Sequence, residues 1–227
     1  MNLVGKIGGM LAAGAALTVC GAANATILVD NFTLNDVFGS PALVAPYGTV
    51  TLNDFGSTGS VLVQVALLDG LEFHDPADLN HWEFAFNLSA GATFSSVTDN
   101  DAAHQTFAVA AGPANLAPFG SFAYRVSCTA DCLKGYGAGG ASTLSFTILE
   151  PGINVNSFTP TASATYGNVL FGADVVRSNS LTGNIGALGG GPGGVPEPAS
   201  WAMMLVGFGG LGALLRRRRR QVSAAFA

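Results

Sequence analysis

Apolar and polar side chains alternate with a period of two over much of the chain between residues 26 and 178. The clearest example is the segment 81–88, whose apolar side carries Trp82, Phe84, Phe86 and Leu88 and whose polar side carries His81, Glu83 and Asn87. Successive side chains of a β-strand point to opposite faces, so this pattern predicts a strand with one buried side. Residues 122–126 and 143–148 repeat the alternation.

Similar patterns predict further strands at 26–32, 60–68, 92–97, 105–110, 153–158 and 169–178. Clusters of glycine, proline, asparagine and aspartate separate them and favour turns. Short strands at this spacing predict a mainly β domain over residues 26–178, either an antiparallel β-sandwich or a jelly roll. Residues 179–194 are rich in glycine, which predicts a flexible linker.

The first 25 residues have the layout of a secretory signal peptide. Lys6 precedes an apolar segment from residue 7 to residue 19, and small residues follow at Ala23 and Ala25. We expect export through the Sec translocon and cleavage after Ala25. Cys20 offers an alternative, a lipidated N-terminus, but Val19 is branched where a lipidation signal has a small residue.

The other end of the chain carries a second apolar run, residues 199–215, which contains no charge. Seventeen residues form a helix of about 25 Å, slightly shorter than a hydrocarbon core of about 30 Å. The run therefore predicts a single, marginal transmembrane helix. Its glycines also fit a helix-pairing face, with Gly209 and Ala213 at small-xxx-small spacing.

Charge and aromatic residues predict the orientation of this helix. Trp201 suits the headgroup layer at one end, and positive charge at the other end stays in the cytoplasm. Residues 221–227 then form a cytoplasmic tail. The positive block is Arg216, Arg217, Arg218, Arg219 and Arg220.

The motif Pro196-Glu197-Pro198, together with Trp201, the apolar span and the arginine block, resembles the PEP-CTERM sorting signal in its PEPxxWA form. The resemblance covers about residues 195–220. It implies a Gram-negative bacterium that makes exopolysaccharide, transient anchoring in the inner membrane and processing by an exosortase-type membrane protease. Delivery to the cell surface or the extracellular matrix would follow. It implies a sorting route and no activity for the rest of the chain.

The charge of the body differs from that of the whole chain. The chain has a net charge of −5, but residues 26–194 hold thirteen acidic residues against three basic ones, a net of −10. Nucleic-acid binding requires clustered lysine and arginine to contact phosphates, so we exclude nucleic acid as a partner. The negative charge suits a soluble extracellular protein.

Two cysteines remain after the expected processing, Cys128 and Cys132. In an oxidising compartment this pair predicts a disulfide that closes a small loop. A zinc site is the first alternative, although the nearest histidine, His104, lies 24 residues before Cys128. A redox-active dithiol is the second, although such motifs have two residues between the cysteines rather than three.

Two groups of polar residues have the chemistry of metal ligands. Four of them fall within eight positions, at His74, Asp75, Asp78 and His81. Imidazole and carboxylate form metal shells, but a polar turn explains the same residues and is our prediction. Asp99 and Asp101 would supply oxygen ligands for calcium, yet the full loop pattern is missing. We therefore predict no metal and no cofactor.

No nucleophile elbow occurs in the sequence, and we predict a non-enzymatic protein. Our leading hypothesis is a structural or adhesive protein associated with exopolysaccharide. The alternative is a carbohydrate-binding or carbohydrate-cleaving module that uses Trp82, Tyr136 and the carboxylates Glu72 and Glu83. A third hypothesis, an ice-binding face, requires regularly spaced threonines, which recur along the chain only within 143–147 and 159–165.

Overall fold

The computed structural model of the chain describes residues 25–36, 43–56, 58–74, 82–88, 91–100, 105–132, 140–178 and 180–189. The predicted signal peptide up to residue 24 and the predicted sorting segment lie outside these residues. Within the described ranges, no helix is long and apolar enough to cross a membrane. The predicted span at 199–215 falls outside them and stays a prediction.

The described residues form short antiparallel strands, in agreement with the predicted mainly β fold. In chain order they are β1 (Ile27–Asn31), β2 (Leu34–Asn35), β3 (Gly48–Asn53), β4 (Ser60–Leu67), β5 (Leu71–Phe73), β6 (Phe84–Phe86), β7 (Thr93–Phe94), β8 (Thr98–Asp99), β9 (Thr106–Leu116), β10 (Gly120–Ala130), β11 (Thr143–Leu149), β12 (Thr161–Ser163), β13 (Gly167–Arg177) and β14 (Thr182–Leu188).

These strands assemble into two sheets. Sheet A has the order β1-β3-β4-β11-β7, and β8 also pairs with β11. Sheet B has the order β2-β14-β13-β6-β10-β9, and β5 and β12 also pair with β13. Within each sheet, all of these neighbouring strands pair in the antiparallel direction.

One hydrophobic core lies between the two sheets and contains side chains from both. Its centre is aromatic. Phe86 of sheet B stacks on Phe146 of sheet A with ring centroids 5.8 Å apart, and Phe84 stacks on Phe171 at 5.6 Å. Buried aromatic rings contribute a large apolar area and a preferred geometry, so the Phe86–Phe146 stack joins the two sheets and the Phe84–Phe171 stack packs neighbouring strands of sheet B.

The prediction of a flexible linker over 179–194 is wrong for residues 182–188. This segment is β14, which pairs with β13 from Val176↔Thr182 to Val169↔Leu188. Ile185 and Ala187 are fully buried in the core. The glycines in this segment were the reason for predicting a linker, but in the structure the absence of a side chain allows another residue to pack closely against the strand. At Gly186 a Cβ atom would lie only 3.1 Å from the ring of Phe119.

The strand predicted at 153–158 is also wrong, because Val155–Ser157 forms a single 3₁₀ turn. The Asn154 side chain accepts from Asn156 N at 2.9 Å, and the Ser157 hydroxyl accepts from Asn154 N at 3.1 Å. This reciprocal capping stabilises the turn. The predicted strand 92–97 is shortened to β7 (Thr93–Phe94), and β8 (Thr98–Asp99) begins just beyond its predicted end.

Candidate functional site

The outer surface of sheet A contains only uncharged side chains along its four main strands, and we call it the open face. The buried side chains of these strands alternate with half-buried or exposed ones that point away from the core. The outward positions are Ile27, Val29, Asn31, Thr49, Thr51, Asn53, Ser60, Leu62, Gln64, Ala66, Thr143, Ser145, Thr147 and Leu149. None of these fourteen residues is charged, although the body carries a net charge of −10.

The strand register aligns the open face into rows. One row runs across all of sheet A, because the pairs Val29↔Thr51, Thr51↔Gln64, Gln64↔Ser145 and Ser145↔Thr98 are directly opposite. Neighbouring strands lie about 4.8 Å apart, so hydroxyl and amide groups stand side by side at a regular spacing. Sequence reasoning missed this arrangement because it searched for repeated threonines along single segments.

The outer surface of sheet B is covered over part of its area by the hairpin tip between β9 and β10, residues 114–122, which we call the cover. Leu116, Phe119 and Phe122 are buried in a second apolar cluster outside the main core. The sheet beneath them carries Gly172 and Gly186. A Cβ atom at Gly172 would lie 2.8 Å from Leu116 Cδ1, so the cover requires a small residue there.

Hydrogen bonds from neighbouring elements hold the cover on sheet B. Asn184 Nδ2 donates to Ala117 O at 2.7 Å, and Ser163 Oγ donates to Pro118 O at 2.7 Å. The tip therefore belongs to the packed structure of this sheet.

Asp174 on β13 holds both ends of the segment 75–81. Its backbone oxygen accepts from His74 N at 3.0 Å, and its backbone nitrogen donates to Trp82 O at 3.2 Å. Its carboxylate Oδ2 lies 3.3 Å from His74 Nδ1, with both side chains buried. Of the four residues considered as metal ligands and predicted to form a polar turn, only His74 lies in the described residues. Among those residues, no three His, Cys, Asp or Glu side chains are placed to hold one metal ion.

The strand predicted at 81–88 with one buried side is shorter, β6 (Phe84–Phe86), and it is buried on both sides. A bend at Glu83 ends the alternation, and Glu83, predicted on the polar face, is only 1% exposed. Its Oε1 accepts from Cys128 N at 3.0 Å. Trp82 does not join Phe84 in the main core but packs against the second apolar cluster. The Arg125 guanidinium lies 4.3 Å from the centre of its ring.

The two carboxylates considered for sugar cleavage have different surroundings. Glu72 is half-buried on β5, whereas Glu83 is shielded from solvent. A glycosidase needs both carboxyl groups to reach the scissile bond, and a buried Glu83 has no access to a sugar ring. Tyr136 lies outside the described residues.

Cys128 and Cys132 form a disulfide with their Cα atoms 5.8 Å apart. Cys128 belongs to the end of β10, and Asp131 adopts a left-handed conformation with φ of 56° inside the loop. Aspartate tolerates this conformation better than most residues. The disulfide thus closes a tight loop beside the buried Glu83.

The described part of the molecule is a two-sheet β domain, and the comparison with protein families adds a C-terminal sorting signal. Residues 194–220 match the model of the PEP-CTERM protein-sorting motif. The match covers the predicted motif Pro196, Glu197, Pro198 and Trp201 and the five arginines from Arg216 to Arg220. No curated protein and no solved structure matches the chain.

The sorting motif implies export, transient anchoring in a membrane and processing by an exosortase, which is itself a membrane protein. The match is confined to one segment, so it describes the route of the protein and not the chemistry of its β domain. The residues of the motif and the signal residue Ala23 lie outside the described structure. Ala25 is described, and it is exposed two residues before the start of β1.

Proposed function

We propose that this protein is a non-enzymatic component of the cell surface or extracellular matrix that associates with exopolysaccharide through its open face. The observation that carries the proposal is the absence of charge from the fourteen outward positions of the open face in a domain of net charge −10. The sorting motif supports the location, since it implies export.

A neutral polysaccharide presents hydroxyl groups and patches of C–H along its chain, and the open face has groups to match both. Thr51, Gln64 and Ser145 supply hydrogen-bond donors and acceptors in one row. Ile27 and Val29 supply aliphatic surface, with exposures of 57% and 53%. Covering a charged side chain would carry a desolvation cost, which the open face does not incur.

The open face has no aromatic residue among its outward positions, so each sugar ring gains only a small contact energy. We therefore expect weak binding at a single site and stronger retention where many copies contact one polymer. The charge on the rest of the domain keeps the copies from collapsing on one another. This combination suits a matrix component better than a receptor for a single sugar.

The proposed route follows from the two ends of the chain. The Sec translocon exports the chain and the signal peptide is removed after Ala25. The apolar run 199–215 then holds the body at the outer side of the inner membrane until an exosortase-type protease cuts near Pro196-Glu197-Pro198. The marginal length of that run suits a temporary anchor.

Intact-mass measurement of the protein released by an exosortase-bearing host tests this route. We expect a mass that excludes residues 1–25 and the arginines 216–220. We also expect Glu197→Ala to leave the chain in the membrane fraction, whereas Glu150→Ala in the body is released normally. Release of a chain that still contains Arg216 to Arg220 would refute the processing step.

Polysaccharide tests address the activity. The released protein is incubated with neutral and with anionic polysaccharides, and both retention and new reducing ends are measured. We expect retention on the neutral polymers and no new reducing ends. Cleavage would overturn the non-enzymatic proposal, and thermal hysteresis without polysaccharide retention would assign the open face to ice instead.

A second candidate function is binding of a single sugar ring at Trp82. Trp82 is half-buried rather than fully buried, and Arg125 lies over its ring. Aromatic rings with a neighbouring polar group are common in sugar sites. Trp82→Ala would then abolish retention, whereas our leading proposal expects Trp82→Ala to retain it if the domain stays folded.

A further inference from the structure

Thr26, the residue just after the expected signal-peptide cleavage site, is bonded to a buried carboxylate. Its backbone nitrogen donates to Asp54 Oδ1 at 2.7 Å, and its carbonyl oxygen accepts from Asp54 N at 3.2 Å. Asp54 follows β3 and is only 7% exposed. Oδ1 also accepts from Gly56 N at 3.0 Å, so the carboxylate is fixed by its own turn.

The position of Thr26 is important because this residue leads into a strand at the edge of sheet A. It directly precedes β1, which is the edge strand of sheet A and pairs with β3 from Ile27↔Asn53 to Asn31↔Thr49. Ala25 is exposed, so any segment before Thr26 leaves the fold at the surface. The body can thus adopt the same β1 pairing before and after the signal peptide is removed.

We propose that signal-peptide cleavage after Ala25 creates an ion pair between the new N-terminus of Thr26 and Asp54, and that this pair fastens β1 to sheet A in the mature protein. The inference rests on the predicted cleavage position and not on polysaccharide binding.

The chemical change at Thr26 is simple. Signal peptidase adds water across the peptide bond between Ala25 and Thr26. The Ala25 carbonyl carbon takes the hydroxyl and the Thr26 nitrogen takes the hydrogen, and the carboxyl proton then passes to the amine. A neutral N–H with one hydrogen becomes an ammonium with three, at a nitrogen already within hydrogen-bond distance of Asp54 Oδ1.

A hydrogen bond to an ionised carboxylate is already stronger than one between neutral groups, and a positive charge on the donor nitrogen adds Coulomb attraction between the two groups. In the precursor, the carboxylate of Asp54 is bonded at this nitrogen to an uncharged donor. In the mature chain, the same nitrogen carries a positive charge. The mature domain therefore gains stability at its edge strand without any change in backbone position.

The surrounding charges favour the ammonium form. The charged residues on β1, β3, β4 and the adjoining turns are Asp30, Asp54, Asp69 and Glu150, and all four are acidic. Glu150 belongs to the turn whose backbone bonds to Gly59. The α-amino group of an unfolded chain titrates at about 7.7–8.0. The added stability is thus complete near pH 6 and is lost as the pH rises through the higher pKa that the paired ammonium acquires in the folded state.

The test uses the exported chain with its own signal peptide. Inserting Gly-Ser between Ala25 and Thr26 leaves the cleavage residues Ala23 and Ala25 in place, and it turns Thr26 N back into a neutral amide. Intact mass verifies that both chains are cut after Ala25. Thermal unfolding of both chains is then measured at pH 6 and at pH 10.

We expect the insertion to lower the Tm at pH 6 by about 2–6 °C through the lost charge–charge attraction and to have almost no effect at pH 10. Asp54→Asn should lower the Tm more in the natural chain than in the inserted chain. Asp69→Asn, on an exposed turn, should change the Tm equally in the two chains. Equal Tm values for the two Asp54-containing chains at pH 6 would overturn the proposal, as would natural cleavage at another residue. This comparison holds even if Asp54→Asn fails to fold, and its outcome is separate from polysaccharide retention.

Discussion

The outer faces of the two sheets differ in burial, because the main strands of sheet A alternate buried and partly exposed residues, whereas β6 and most of β13 in sheet B are buried on both sides. On sheet A, the outward residues remain open and uncharged, as in the row of Thr51, Gln64 and Ser145. On sheet B, the outward residues include Gly172 and Gly186, and the cover packs onto them. A Cβ atom at Gly172 would lie 2.8 Å from Leu116 Cδ1 and one at Gly186 would lie 3.1 Å from Phe119 Cδ1, so side chains at these two positions would displace residues of the cover. The two outward glycines therefore help the cover to pack closely on sheet B.

Charge follows the same division. The outward residues of sheet A are neutral, whereas sheet B carries the buried His74–Asp174 pair and the Arg125–Trp82 contact. Buried charged groups must be paired or hydrogen-bonded, which fixes them in the structure. The difference indicates that sheet B uses these polar groups for its own stability, and our proposal assigns the outward polar groups of sheet A to contacts with the matrix.

Removing the apolar centre of the cover should have the largest effect. Phe119 is fully buried, and Phe119→Ala should destabilise the domain by about 3–5 kcal/mol through lost burial and a cavity. Urea unfolding at constant pH measures this change. Phe55→Ala is the control, because Phe55 is 56% exposed and should change stability by about 0.5 kcal/mol or less. Equal losses for the two variants would mean that the cover is not packed.

Adding volume beneath the cover should have a smaller effect. Gly172→Val places atoms where Leu116 Cδ1 and Phe122 Cε2 would lie 2.8 and 3.3 Å from the new Cβ. Displacing them should cost about 1–3 kcal/mol. The matched change on the open face is Ala66→Val, which is exposed and should be nearly neutral. If Ala66→Val is as harmful as Gly172→Val, the two faces do not differ as we describe.

Deleting the carboxylate of Asp174 tests the polar part of sheet B. Asp174→Ala removes the contact with His74 Nδ1 and leaves a buried polar group with fewer partners. We expect a loss of about 1–2 kcal/mol in unfolding free energy. Asp69→Ala, on an exposed turn, provides the comparison and should leave the unfolding free energy unchanged. An unchanged unfolding free energy for Asp174→Ala would indicate that the His74–Asp174 side-chain contact does not help to hold the segment between His74 and Trp82.

Much of the fold could be predicted from the alternation alone. Strands such as β4, β11 and β13 have continuous patterns, and the structure forms them close to the predicted bounds. The prediction failed at β14, because glycine has the same sequence signal in a flexible linker and in a strand under a packed ring. A local pattern does not contain the distant residue, Phe119, that makes Gly186 necessary.

The candidate site was less predictable for a related reason. The open face is built from residues on four strands that are far apart in sequence, and their register is set by pairing across the whole sheet. Glu83 was misplaced because one bend reverses the alternation and turns the carboxylate toward Cys128 N. The sorting motif was predictable, because all of its parts lie in one short segment that the family model matches.

The most direct test of the account compares polysaccharide retention after a charge is placed on each outer face. Gln64→Glu with Ser145→Glu adds two negative charges to the open face, and Ser121→Glu adds one to an exposed position of β10 in sheet B. Retention of each exported chain is measured on a neutral polysaccharide, with thermal unfolding as a check on folding. We predict at least about a tenfold loss of retention for the open-face variant, corresponding to about 1.4 kcal/mol, and unchanged retention for Ser121→Glu. Equal retention of both variants would contradict the claim that the open face binds the matrix.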